Sequence, residues 1–223
     1  MTSVLRYALA IGFSLWILSG PLAIAQTSSA HELGVRSFSG NYSVTYRGIR
    51  AGNIDFILRP ATSVESKDPA YVYESIAHAR GMAKLVVHNT VREATTFKLE
   101  QGTIKPVHYE LDDGSKDTDE DTRLDFDWPG SKARGVHEDR PIELPLTNGV
   151  QDRMSAQVVV MQMLAAGQQP DKIVFIDRDE LKEYQYSRLR EERLKTALGE
   201  LDTVVYQSTR ANSDRVSRLW YAP

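Results

Sequence analysis

The sequence predicts a mainly β protein: an antiparallel, strongly curved sheet or half-open β-barrel with one longer α-helix packed on it. Short segments in which apolar and polar residues alternate recur from Phe38 to the end of the chain, separated by turn residues. A single stretch, beginning near Asn148, instead repeats its apolar residues at helical spacing. Because unpaired strand edges invite aggregation, so many antiparallel strands are expected to close or curve.

The predicted strands begin with a hairpin. Tyr42 and Val44 alternate with polar residues, a turn spans Gly48 to Gly52, and Ile54 and Phe56 alternate on the returning strand. Further strands are predicted at 71–79, 90–100, 104–111, 124–128, 132–137, 141–145, 172–178, 182–193, 201–209 and 217–221, with a short helical turn at 81–87. Turns join most of these strands, as in an antiparallel sheet, but loops are predicted at 60–69 and 112–121 and the helix separates 141–145 from 172–178.

The one predicted helix begins near Asn148 and ends at Gly167. Its apolar residues Met154, Val158 and Met161 recur at helical spacing, so this face is expected to cover the concave side or an open end of the sheet.

The polar residues at the helix start have two interpretations. Asn148 can cap the helix with Gln151 reaching back in a capping box, and Asp152 suits the helix dipole. This capping interpretation is favoured because it needs no ligand. In the alternative, Gln151, Asp152 and Arg153 face a cavity and contact a ligand.

The first residues have the order of a secretory signal peptide. Arg6 precedes an apolar run over 7–18, Gly20-Pro21 breaks that run, and Ala23-Ile24-Ala25 is a small-x-small cleavage site. An uncleaved membrane anchor is the alternative, but a spanning helix needs about 20 apolar residues. We therefore expect cleavage over 1–25, with the mature chain beginning at Gln26.

The expected mature chain consists of a flexible N-terminus (26–37) and a single β-rich domain (38–223) in the periplasm. It has no cysteine, which excludes thiol catalysis, disulfides and cysteine metal sites. The net charge of -3 gives no footprint for binding nucleic acid. No second long apolar run follows the leader, so no transmembrane segment is expected after cleavage.

The histidines do not have the spacing of a metal site. When one helix or strand supplies two zinc ligands, they stand at i and i+4 on a helix or at i and i+2 on a strand. No two histidines of this chain have either spacing: His31, His78, His88, His108 and His137. The sequence also lacks the G-x-S-x-G motif of serine hydrolases. No catalytic residue, metal ligand or cofactor is therefore predicted.

An acidic stretch resembles part of a calcium loop. Asp117, Asp119 and Asp121 match the first three ligand positions, but Thr122 stands where glycine is required and Trp128 where glutamate is required. A solvated hairpin tip is the favoured interpretation.

Several motifs together resemble one family. They are Tyr46–Gly52 (YRGIRAG), Arg80-Gly81, Leu124–Trp128 (LDFDW), Gly149–Ser155 (GVQDRMS), Thr196–Gly199 (TALG) and Leu219–Pro223 (LWYAP). Their order resembles the exported Gram-negative family known as domain of unknown function 3108.

The resemblance implies an exported, mostly antiparallel β protein, similar to envelope proteins whose curved sheet holds a lipid or lipoprotein tail. It brings no established activity and no catalytic residues. Within its motifs, Arg80, Gln151 and Asp152 are the candidate ligand-binding residues. Family members continue past the W-x-A-P motif, so a chain that stops at Pro223 is expected to lack a final strand.

Three functions remain open. The leading one is a periplasmic binding module for a hydrophobic envelope component, such as a lipid or a lipoprotein acyl chain. The second is a structural or interaction protein that acts through a sheet edge. The third is a hydrolase acting on envelope material. A pocket open to solvent favours the first function, whereas a filled core with an exposed edge favours the second. The oligomeric state is left open.

Overall fold

The computed structural model describes residues 7–9, 35–62, 68–81, 90–114 and 121–222. These residues form two β-sheets with one helix, α1 (Ser155–Ala165). The strands are β1 (Tyr7–Leu9), β2 (Phe38–Tyr46), β3 (Ile49–Pro60), β4 (Ala70–Ala79), β5 (Thr90–Glu100), β6 (Thr103–Asp112), β7 (Thr122–Asp127), β8 (Lys132–His137), β9 (Arg140–Pro145), β10 (Gln151–Asp152), β11 (Lys172–Asp177), β12 (Glu180–Thr196), β13 (Gly199–Thr209) and β14 (Ser217–Tyr221). The mainly β class with a single helix is confirmed.

The larger sheet is an antiparallel meander of eight strands, β2 to β9, in sequence order. Its first hairpin turns on Arg47 (φ 50°) and Gly48 (φ 82°). Positive φ at both central residues matches a type I′ turn, whose twist suits a two-residue hairpin. The meander ends at β2 and β9, which do not pair, so the sheet is not closed. The large antiparallel sheet is confirmed, whereas the strong curvature or half-open barrel expected from the sequence is not confirmed.

The smaller sheet has the order β1-β14-β13-β12-β11-β10. Its inner pairs are antiparallel, whereas β10 and β1 pair in parallel at the two ends. The outer side of β14, expected to be unpaired, lies beside β1 in the full chain, and β1 falls within the expected signal peptide.

The helix lies between the sheets because it is apolar on two sides. Met154 and Val158 are buried against the eight-stranded sheet, and Ala156 and Val160 are buried against the six-stranded sheet. Each pair is spaced by four residues and so shares one helix face. Met161, expected in the first face, is partly buried and contacts both clusters. The helix therefore packs against both sheets.

The short helical turn expected at 81–87 lies outside the described residues except for Gly81. The helix itself begins at Ser155, seven residues after Asn148, because the short strand β10 comes first. In the part of the chain that the structure describes, no helix is long and apolar enough to cross a membrane.

Candidate functional site

Asp152, at the start of the helix, is a fully buried polar residue, as is Ser155. The Asp152 side chain has no solvent exposure. One carboxylate oxygen, Oδ1, accepts hydrogen bonds from the backbone N–H groups of Met154 and Ser155, both at 2.8 Å. The Ser155 hydroxyl oxygen in turn accepts the Asp152 N–H at 2.9 Å. This reciprocal pattern is a capping box built by Asp152 and Ser155.

The predicted cap was therefore misplaced by four residues. Asn148 and Gly149 form a turn in which the Val150 N–H donates to the Thr147 carbonyl, with Gly149 at φ 86°. Glycine tolerates that φ, which places the chain in a turn rather than in the first helical turn. Asp152, and not Asn148, accepts the N–H groups that precede the helix.

Asp152 also joins the helix to the larger sheet. The hydroxyl of Thr95 on β5 donates to Oδ2 of Asp152 at 2.6 Å, and Thr95 is itself buried. Burial raises the pKa of Asp152 to about 6, although its hydrogen bonds from Thr95 and Ser155 oppose that rise. All its hydrogen bonds are made within the fold, so this carboxylate stabilises structure and is closed to a ligand.

Gln151, the second candidate ligand-binding residue, is also buried. Its Nε2 donates to the carbonyl oxygens of Ile104 at 3.2 Å and Gly149 at 3.3 Å. Its Oε1 has no hydrogen-bond partner among the described residues. Gln151 thus ties the helix start to β6 instead of capping the helix with Asn148.

A cluster that we call the polar bridge connects the two sheets beside Asp152. Arg153 pairs with Glu93 of β5 at 3.2 Å, and the same carboxylate oxygen accepts the Tyr109 hydroxyl at 2.7 Å. On the other sheet, Asp177 Oδ2 pairs with Lys182 at 3.2 Å. Burial would raise the pKa of Asp177, but Lys182 and Arg153 outweigh it and lower that pKa.

The polar bridge gives little support to catalysis. The carboxylate oxygens of Glu93 and Asp177 are held by cations and phenols, including Tyr184, whose hydroxyl donates to Asp177 at 3.2 Å. Burial and Glu93 raise the pKa of Tyr109, so its phenol stays protonated. Such groups are positioned to fix the two sheets relative to each other rather than to transfer protons.

Arg80, the third candidate, is not brought together with the other two. It is exposed at the end of β4, and its backbone N–H donates to the Ala51 carbonyl at 2.7 Å. It lines a surface pocket of about 550 Å³ with His78, Ala79 and Gly81, whereas Gln151 and Asp152 are buried beside the helix. The three candidates therefore do not form one site.

A second surface pocket lies at the opposite end of the larger sheet. It has a volume of about 520 Å³ and is lined mainly by polar residues, among them Glu100, Lys105 and Asn148. The ammonium of Lys105 pairs with Glu100 at 2.6 Å and lies 5.8 Å from the Trp128 ring centroid. The lining mixes these polar groups with the apolar side chains of Ile104 and Trp128.

Possible metal ligands are few in the described part of the chain. Asp112, Asp113 and Asp121 bring carboxylate oxygens within 4.8 Å of one another, next to the acidic stretch considered from the sequence. Asp117 and Asp119 lie outside the described residues. The buried histidine, His137, bonds the Thr122 hydroxyl at 2.8 Å.

The edges of the sheets differ in how they are protected. β2 contains no charged residue and no proline over nine residues, and no described strand pairs with its outer side. β9, the other edge of that sheet, carries Pro141 and Pro145. β12 extends past its pairing with β11, so residues 187–196 have a side that β11 does not pair. Six of these ten residues are charged, and a bulge lies between Arg188 and Arg190. Proline, charge and bulges are the usual devices that block edge pairing. β2 has no proline and no charged residue, and its pairing with β3 shifts register between Val44 and Thr45 near its end.

Aromatic side chains lead inward from the β2 edge. Phe38 and Tyr42 of β2 are half-buried and contact Tyr73 and Phe56, with ring centroids 6.0 and 5.5 Å apart. Phe56 stacks on Tyr73 at 5.9 Å. The edge of β2 is therefore continuous with an apolar inner face, which can pack the alternate side chains of an added strand.

Sequence patterns do not predict the roles of Thr95 and of the polar bridge residues such as Glu93. Thr95 and Asp152, for example, are 57 positions apart and come into contact only in the folded chain. Ser155 was detectable: it follows Asp152 by three residues, the spacing of a capping box. The lack of charge in β2 was also detectable, but its position at an edge was not.

Comparisons with known proteins give a family and nothing more specific. No curated protein and no solved structure matches the chain. The family model described as Protein of unknown function (DUF3108) matches residues 41–223, which include the meander from β3 onward, the helix with its Asp152 cap and the smaller sheet up to β14. The chain belongs to this DUF3108 family.

Proposed function

We propose that the protein is a non-catalytic binding module of the cell envelope that holds an extended polypeptide partner along β2. The observation that carries the proposal is the nine-residue β2 edge, which has no charge and no proline and has an aromatic inner face beside it. An added strand gains main-chain hydrogen bonds from such an edge and specificity from pockets for alternate side chains.

The interior supports this function over a ligand enclosed between the sheets. The helix fills the space between them, and the inner aromatic residues Tyr73 and Phe97 have no solvent exposure. A filled core with an open edge is the arrangement expected of an interaction protein.

The location proposed is the periplasm, after removal of the signal peptide over 1–25. In the full chain β14 pairs with β1, which is part of that leader. The proposal therefore rests on β2, whose pairing does not involve the leader.

Site-specific photo-crosslinking in the native host tests the proposal. A photo-reactive residue is placed at Ser39, Asn41 or Ser43, which are exposed along β2, and at Glu143 of β9 as the matched control. A strand partner crosslinks from all three β2 positions, and hydrogen exchange shows the β2 amides to be protected in the complex. Equal crosslinking from β2 and β9, or crosslinking without β2 protection, would contradict the proposal.

A hydrophobic ligand is the second candidate function. It is supported by the half-buried rings of Phe38 and Tyr42, which give an acyl chain an apolar surface at the open side of the meander. Native mass spectrometry of protein purified from its own host distinguishes the two candidates. A co-purified lipid mass that is lost on Tyr42→Ser would support the hydrophobic ligand. A protein without added mass would contradict it and favour the strand partner at β2.

A further inference from the structure

The tip of the β2–β3 hairpin exposes two large apolar side chains. Tyr46 is 51 % exposed and Ile49 is 73 % exposed, although most side chains of this size are buried. The two residues are direct cross-strand partners flanking the turn, so they lie side by side. Neither contributes to the core clusters of the described residues.

Three arginines surround this tip. The guanidinium of Arg47 lies 5.3 Å from the Tyr46 ring centroid, and Arg50 donates to the amide oxygen of Asn53 at 3.0 Å. Arg80 is held beside them through the hydrogen bond of its backbone N–H to Ala51. We call Tyr46, Arg47, Ile49, Arg50 and Arg80 the basic corner.

Little acidic charge lies beside these arginines. Within the described residues none of the three forms an ion pair, although Arg50 is connected through the side-chain amides of Asn53 and Asn41 to the carboxylate of Asp55. The acidic triad of Asp112, Asp113 and Asp121 lies at the same end but on β6–β7, three strands from β3 and two from β4, which Arg80 follows. At about 4.8 Å per strand these separations are about 14 and 10 Å, both beyond the Debye length of about 8 Å in physiological salt.

A second hairpin tip shows that exposure alone is not the signal. Leu198, between β12 and β13, is 69 % exposed, close to the value for Ile49. Its basic neighbour Arg193 is paired with Asp202 at 2.8 Å and approaches Glu200 at 4.0 Å. This second tip is apolar but balanced in charge, which makes it a natural control.

We propose that the basic corner binds the headgroup region of a membrane that contains anionic lipid. An exposed aromatic and an aliphatic side chain enter the interface between headgroups and acyl chains, and the arginines meet the phosphates. The occupant follows from charge complementarity, because unpaired arginines around an apolar tip match an anionic surface. The proposal does not depend on a strand partner at β2: it shares with that edge only Tyr46, the last residue of β2, and its other residues lie in the turn, at the start of β3 and after β4.

Vesicle co-sedimentation tests the proposal with the protein as recovered from its host. The probes are vesicles of phosphatidylethanolamine mixed with phosphatidylglycerol, and vesicles of pure phosphatidylcholine, each at low and high salt. All variants carry the same N-terminus, so any apolar leader contributes equally. Binding to the anionic vesicles is expected to weaken at high salt.

The variants separate charge from apolar contact. Arg47→Gln and Arg80→Gln are each expected to weaken anionic vesicle binding roughly five-fold. Ile49→Ser is expected to weaken it by about ten-fold, whereas the control Leu198→Ser leaves it unchanged. Thermal unfolding that matches the wild type shows that the variants are folded.

Three results would overturn the proposal. One is equal binding to phosphatidylcholine and anionic vesicles, and another is an equal loss with Leu198→Ser and Ile49→Ser. The third is a co-purified protein that is lost with Arg47→Gln and Arg80→Gln while vesicle binding is unchanged, which would assign the corner to a protein partner.

Discussion

β2 and β9 are the two edges of one sheet, and they are built differently. β9 has prolines at 141 and 145, and its Glu143 forms ion pairs with Lys132 and Arg134. β2 has neither feature and leads into an aromatic face. Because both strands end the same meander, the fold alone does not explain the difference. Proline and charge therefore protect β9 and are absent from β2, whose remaining irregularity is the register shift between Val44 and Thr45. This difference is expected if β2 has a partner.

The largest effect on stability is expected from a substitution that disrupts the packing of the helix, on which both edges depend. Val158→Asp places a charge at a position that is 2 % exposed between the helix and the meander. A buried, unpaired carboxylate is expected to lower the free energy of unfolding by about 3 kcal/mol or more. Denaturant unfolding measures it, with the exposed Leu189→Asp as control. A change below about 1 kcal/mol would mean that the helix does not lie between the sheets.

The next effect tests the cap that holds the helix to β5. Asp152→Ala leaves the N–H groups of Met154 and Ser155 without their acceptor, and the hydroxyl of Thr95 keeps only the His108 carbonyl at 3.3 Å. We expect a loss of about 2–4 kcal/mol in the free energy of unfolding, while both edges stay as they are. Asp152→Asn is the matched control, since an amide oxygen can still accept both N–H groups. Equal losses for the two variants would contradict the assigned role.

The pH dependence of stability sharpens this test. The pKa of Asp152 in the folded state, about 6, lies above its ordinary value of 3.8 because of burial. The protonated form is therefore favoured by folding: this contribution is complete below pH 3.8 and is lost as the pH rises through 6. The wild type is expected to lose about 3 kcal/mol relative to Asp152→Asn over this range. Parallel stability curves for the two proteins between those pH values would refute the shift.

Substitutions with the smallest expected effect on stability distinguish β2 from β9 directly. Ser39→Lys with Ser43→Lys adds to β2 the charge that blocks pairing, with an expected change within about 0.5 kcal/mol in unfolding. Crosslinking to the partner is expected to disappear. Ser187→Lys is the control, because it adds charge to a stretch of β12 that is already charged. Unchanged crosslinking with the two β2 lysines would show that the partner binds elsewhere.

The converse change asks whether β9 is blocked only by its prolines. Pro141→Thr with Pro145→Thr restores two backbone N–H groups to that edge. We expect more self-association at high concentration, measured by light scattering, with little change in unfolding. A variant that stays as monomeric as the wild type would mean that the ion pairs of Glu143 are sufficient protection.

Sequence patterns predict much of this fold because each strand carries its own alternation. Leu124 and Phe126, for example, are buried as their spacing requires. The helix start was misplaced because Asn148 and Asp152 are both good caps, and only the turn at Gly149 selects the second. The polar bridge was out of reach, since Glu93, Arg153 and Asp177 lie on three distant segments. The split into two sheets, with the helix between them, also depends on contacts that no local pattern encodes.

The central claim is that β2 receives a strand, and amide hydrogen exchange along both edges of the meander tests it most directly. Exchange is measured in the protein alone and in the complex crosslinked at Ser43 in the native host. The account predicts that the amides of β2 (Phe38–Tyr46) gain protection in the complex, while those of β9 (Arg140–Pro145) exchange equally in both samples. Protection that rises equally on β2 and β9, or that does not rise on β2, would contradict it.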